Sequence, residues 1–175
     1  RMAPAMVRGV QAQGVAADVK HFAANNQETL RQGIDEQISE RALREIYLPG
    51  FEAAVKEGGA ATVMSAYNSI NGVPCAQNRW LLTDVLKHEW GFDGQVVSDW
   101  GAVYDQAEAL RAGNDMDMPG PRGKQQLYEA VERGEISMER IDDAAARMLR
   151  TILKTPKYTG KRFAHIDDAF SQRTA

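Results

Sequence analysis

The chain has 175 residues, 43% of them hydrophobic and 26% charged, with a formal net charge of −3. That is the composition of a globular protein with one ordinary domain and a real core. The mild charge carries none of the clustered Lys and Arg that nucleic acid or an anionic membrane surface requires, so neither is expected as a partner.

In chain order, Arg1-Met2 opens without a charged-then-apolar targeting signal. The run "VAADVKHF" (15–22) predicts a first strand that ends on Lys20-His21. Residues 36–57 place Ile38, Ala42, Ile46, Phe51 and Val55 at near-helical spacing, with Pro49 breaking or kinking the helix. "AATVMSAYN" (60–68) predicts a second strand; the uncharged stretch 58–78 around it holds too many Asn, Gln and Pro for a membrane helix. Leu81, Leu82, Val85 and Leu86 predict a helix over 80–90, with Trp90-Gly91-Phe92 packing at its end. "QVVSDW" (95–100) is the third strand and "NDMDMP" (114–119) a weaker fourth. Ser137 caps a helix carrying Ile141, Ala145, Met148 and Ile152 on one face. The stretch 156–160 and the polar tail to 175 read as a linker leading toward another domain.

Strands alternating with helices predict βαβ units and a parallel sheet. Each strand run ends on polar or aromatic residues: Lys20-His21, Tyr67-Asn68 and Asp99-Trp100. In an α/β barrel the chemistry sits at those C-terminal strand ends. A complete barrel takes about 250 residues and eight strands. Residues 1–155 are therefore expected to be the later portion of a (β/α)8 barrel, with the remaining strands coming from a companion chain or domain, or from a second copy in a homo-oligomer.

Asp99 is the first candidate for chemistry. It either caps the following helix or stands at the barrel mouth as a functional carboxylate, and the flat face of Trp100 beside it suits a sugar ring. Lys20 and His21 are either an interior cation paired with an acid and a hydrogen-bonded His, or donors gripping sugar hydroxyls and keeping a carboxylate ionised. Arg31 is a solvated loop charge or a bidentate clamp, and Tyr67 a core phenol or one that orients a nucleophile. Asp115 and Asp117 read as anchors of a strand end. His21, His88 and His165 lack metal-ligand spacing and no glycine-rich phosphate loop follows a strand, so neither a metal nor a cofactor is expected.

"KHFAANNQE", "VMSAYNSINGVPC", "LLTDVLKHEWGFDGQVVSDWGAV" and "AGNDMDMPG", in that order, resemble the first domain of glycoside hydrolase family 3, in particular its β-glucosidase branch. The resemblance runs from about residue 9 to about residue 155. It implies a retaining, exo-acting β-glycosidase with Asp99 as nucleophile and Lys20, His21, Arg31, Tyr67 and Trp100 lining the subsite of the cleaved sugar, with Met64 close by. The loop after "KHF" has no histidine, unlike the acid/base loop of the family's N-acetylglucosaminidase branch. The family's initial region, with a further sugar-binding aspartate and an arginine, is not found in these residues. In most members of the family the general acid comes from a second domain that follows the barrel, so the resemblance implies that it is supplied by an absent domain or chain, and the substrate is expected to be a β-linked glucoside or oligosaccharide. Two alternatives remain open at this stage: a Schiff-base aldolase using Lys20, and a non-catalytic sugar-binding fragment. The sequence leaves the compartment undetermined, with a secreted or periplasmic setting favoured over a cytoplasmic one.

Overall fold

The computed structural model describes residues 2–120 and 123–160. Helix α1 (Met2–Ala12) precedes strand β1 (Asp18–Phe22), strand β2 (Asp35–Glu36) and helix α2 (Glu40–Ala42). Helix α2 runs on as a π-type segment, Leu43–Tyr47, into α3 (Pro49–Lys56). Strand β3 (Thr62–Ser65) is followed by a hairpin, β4 (Ser69–Ile70) and β5 (Val73–Pro74), and a 3₁₀ turn at Cys75–Gln77. A second π-type helix, Trp80–Glu89, leads to β6 (Gln95–Ser98). Then come α4 (Gln106–Ala112), α5 (Lys124–Glu132), α6 (Met138–Leu153) and α7 (Pro156–Thr159).

The main sheet runs β1-β3-β6, all parallel, and a parallel bridge from Val97 to Met116 adds the 114–118 segment beside β6. This is the parallel βαβ arrangement expected, an incomplete stretch of barrel wall. The small second sheet, β2-β4-β5, lies beyond the C-terminal ends of β1 and β3.

Several local expectations change. Residues 35–36 are a strand and not the start of a helix, because Asp35 and Glu36 pair with Ser69 and Ile70. Pro49 begins α3, where its missing N–H costs nothing, and the helix before it closes i→i+5 bonds such as Leu48 N–H to Leu43 O at 2.9 Å. Within the stretch expected to lead toward another domain, Pro156–Thr159 form α7, while residues 161–175, including His165, lie outside the described residues.

One face of the sheet packs on helices. Val63 and Val96 are buried against Leu81, Leu82, Val85 and Leu86 of the second π-type helix, together with Phe22, Trp90 and Phe92. Fully buried side chains of this size are worth roughly 1.5–3 kcal/mol each, so this layer is the main thing holding the strands. Helix α4 ends at Gly113, whose φ of 115° is a conformation that side-chain-bearing residues rarely adopt. A Cβ there would stand 2.6 Å from Thr83 Oγ1. The chain can thus turn closely into 114–118.

Beneath that turn lies a buried charge cluster. Asp115 Oδ1 accepts hydrogen bonds from Lys87 Nζ (2.7 Å) and from the Arg140 guanidinium (2.6 Å), and Oδ2 accepts the Val96 N–H (2.8 Å). Asp115 therefore joins β6, the second π-type helix and α6, the anchoring role expected of it. Asp117 likewise accepts from the Ser98 hydroxyl at 3.3 Å, and the Met118 N–H donates to the same hydroxyl oxygen at 2.9 Å.

Candidate active site

Strand β1 holds one extra residue relative to β3. Val19 pairs with Val63 and Phe22 with Ser65, so three steps in β1 match two in β3. An inserted residue re-aims the side chains after it. Here Phe22 enters the helix-side core, in contact with Phe51 and Trp90, and His21 turns to the strand-end face, where its Nε2 comes within 3.3 Å of Asp99 Oδ2.

Asp99 follows the last residue of β6. Its own N–H donates to Ser65 O at 3.1 Å, extending the ladder one step, and its carbonyl accepts the Ala102 N–H at 3.0 Å. The side chain is not a helix cap. Helix α4 starts later and is capped by Asp105, whose Oδ1 accepts the Glu108 N–H at 2.9 Å. Asp99 Oδ1 instead accepts the N–H of Trp100 at 2.7 Å. Oδ2 is buried without a hydrogen-bond partner among the described residues, and the His21 contact has the distance of an ion pair without the alignment of a hydrogen bond. The residue is only 7% exposed. One oxygen is tethered and the other is poised.

The remaining candidates surround this carboxylate. Trp100 is 49% exposed, a large apolar face in solvent at the strand end. Tyr67 is buried and donates its hydroxyl to Trp100 O at 2.8 Å. It therefore steadies the backbone beside Asp99 as a core phenol with a satisfied hydroxyl. Burial raises its pKa, the negative charge of Asp99 raises it further, and Arg31 opposes the shift. Arg31 lies over the Tyr67 ring, 4.7 Å from its centroid, and pairs with Glu28 at 2.7 Å. It is neither an isolated solvated charge nor, as it stands, a bidentate clamp. Lys20 is exposed and makes no ion pair among the described residues, so the buried-pair reading of it is corrected. Met64 is buried on β3, opposite Val97 in the ladder, and alternation along the strand puts both on the face away from the helix-packed Val63 and Val96.

Sequence reasoning missed Tyr104, whose hydroxyl donates to Gln32 O at 2.6 Å, 72 residues away in the chain. Nothing in the pattern of "WGAVYD" distinguishes that tyrosine from a surface aromatic. It did not anticipate the Lys87–Asp115–Arg140 cluster either, since pairing over 25 or more residues leaves no periodic trace. Among the described residues there is no group of three or more His, Cys, Asp or Glu side chains able to hold a metal ion.

Residues 1–151 match the family model described as the glycosyl hydrolase family 3 N terminal domain. The chain belongs to glycosyl hydrolase family 3. It is 52% identical over 150 residues to an exo-α-(1→6)-L-arabinopyranosidase of Bifidobacterium longum, covering 86% of this chain and 20% of that relative. It is 50% identical over 153 residues to thermostable β-glucosidase B of Acetivibrio thermocellus, again covering 86% of this chain and 20% of the other. The structure of β-glucosidase 3B from Thermotoga neapolitana, solved in complex with glucose, superposes with a TM-score of 0.90 at 44% identity, covering 99% of this chain and 26% of that one. This family 3 chain therefore spans about a fifth of the length of these two curated relatives, and its fold is that of the corresponding part of a family 3 first domain.

Proposed function

We propose that this chain carries the nucleophile and part of the sugar subsite of a retaining, exo-acting family 3 glycosidase of the β-glucosidase type. The observation that supports this best is the Asp99 carboxylate. It is buried at a strand end, with Oδ1 held by a backbone N–H, Oδ2 unbonded beside His21, and an exposed Trp100 next to it.

In the glycosylation step Asp99 Oδ2 attacks the anomeric carbon. An O–C bond forms as the bond to the leaving oxygen breaks, and a second acid gives that oxygen its proton. Water then releases the sugar with its configuration kept. His21 and Lys20 hold sugar hydroxyls, Trp100 stacks on the C–H face of the ring, and Arg31 closes the site above Tyr67. Holding the ring and carboxylate in line in this way can remove much of the barrier. Met64 lines the floor. We assign the proton donor to no residue of this chain and place it in the further length that the relatives possess. The relatives are named for glucose and for arabinopyranose, so the substrate class is a pyranoside, with a β-glucoside as the first to try.

The test joins this chain to the remaining segments of a family 3 relative and treats it with a 2-fluoro-β-glucoside. Mass spectrometry is expected to find the trapped sugar on Asp99. Asp99→Asn is expected to abolish labelling and turnover with an unchanged circular dichroism spectrum. A label on another residue, or full turnover by the substituted protein, refutes the assignment.

A further inference from the structure

The loop 25–33 carries Arg31, yet its own backbone bonds are local: Arg31 N–H to Glu28 O at 3.4 Å and Gly33 N–H to Leu30 O at 2.8 Å. Its long-range hydrogen bond arrives from Tyr104, whose hydroxyl donates to the carbonyl of Gln32, the residue after Arg31. Tyr104 is itself fixed at the backbone. Gln77 Oε1 accepts both the Tyr104 and the Asp105 N–H, each at 3.0 Å. Three connections meet here: the loop after β1, the turn that follows β3 and its hairpin, and the loop after β6 that carries Trp100. Tyr104 is 56% exposed, so the contact with Gln32 is a rim feature and not part of the core.

We propose that Tyr104 is a positioning residue: its hydroxyl holds the 25–33 loop so that the Arg31 guanidinium stays over Tyr67, above Asp99. The hold on the loop is independent of what the site does. Its consequence for catalysis rests on the glycosidase reading. Losing one partly exposed hydrogen bond typically costs a few-fold in an equilibrium, so Tyr104→Phe is expected to free the loop without unfolding the chain.

The first measurement needs no activity. Hydrogen exchange by mass spectrometry on the 175-residue chain is expected to show the 24–34 peptide exchanging about fivefold faster in Tyr104→Phe, with β1, β3 and β6 unchanged. Equal exchange in the two proteins refutes the hold on the loop. The second uses the chain joined to the segments of a relative. KM is expected to rise about fivefold with kcat little changed, as when ground-state and transition-state binding are lost alike. The effect is expected to vanish when Arg31→Met is already present. An additive effect in the double variant means that Tyr104 acts on the sugar directly, and overturns its role through Arg31. An inactive parent enzyme counts against the glycosidase reading and leaves the exchange result to decide the hold on the loop.

Discussion

Replacing Lys87 by Met tests the buried charge cluster. The Lys87 side chain is 5% exposed and its ammonium shares one oxygen of Asp115 with Arg140. Burial pushes its pKa from 10.5 down to about 8, attraction to Asp115 resists that shift, and the nearby arginines add to it. The folded pKa lies below the unfolded one, so between pH 8 and 10.5 the unfolded chain holds a proton that the folded chain has released. Stability from this group therefore rises with pH across that window and is flat on either side. A displacement of this size corresponds to about 3 kcal/mol. In Lys87→Met the term is gone, while Asp115 keeps Arg140 and the Val96 N–H. Urea unfolding of both proteins at several pH values from 7 to 11 isolates it, because every other titrating group is common to both. The stability of the parent relative to the variant is expected to climb by about 3 kcal/mol between pH 8 and 10.5. A difference that stays constant or falls over that range refutes the reasoning.

Phe22→Ala empties a fully buried position between Phe51 and Trp90, and chemical denaturation is expected to show a loss of about 3–5 kcal/mol. Asp105→Ala removes the cap of α4, with an expected loss of about 1 kcal/mol in the same assay. Cys75 is buried and its thiol pKa is pushed up to about 12, chiefly by burial. It is expected to resist Ellman's reagent at pH 8 in the native chain and to react fully in denaturant.

Much of the site could be read in advance because strand ends are local events. The runs 15–22, 60–68 and 95–100 each end where a polar or aromatic pair interrupts apolar alternation, and Lys20-His21, Tyr67 and Asp99-Trp100 follow from that. Whether Asp99 caps a helix was not a local matter. It depended on α4 beginning at Gln106, six residues beyond the position that a cap at Asp99 implies. Helices α1, α4 and α5 are not predicted, because the residues they bury are few and mostly small. The π-type geometry of Trp80–Glu89 shifts hydrogen bonds by one residue, as in Trp90 N–H to Val85 O at 3.0 Å, without erasing the spacing of Leu81, Leu82, Val85 and Leu86. Of the two readings of Lys20, the buried pair falls away because Lys20 is exposed, and enclosure depends on neighbours far along the chain, which its own position does not show.

The additional residue in β1 also sets a rule of counting for anyone redesigning this segment. Between Val19 and Phe22 the chain serves two opposed environments within a single step, grease for one ring and water for the other. Trimming the additional residue would leave two steps against two, so Phe22 would still meet Ser65, but the local distortion that brings His21 to Asp99 would be lost. Libraries built around positions 20 and 21 should therefore vary identity and keep length constant.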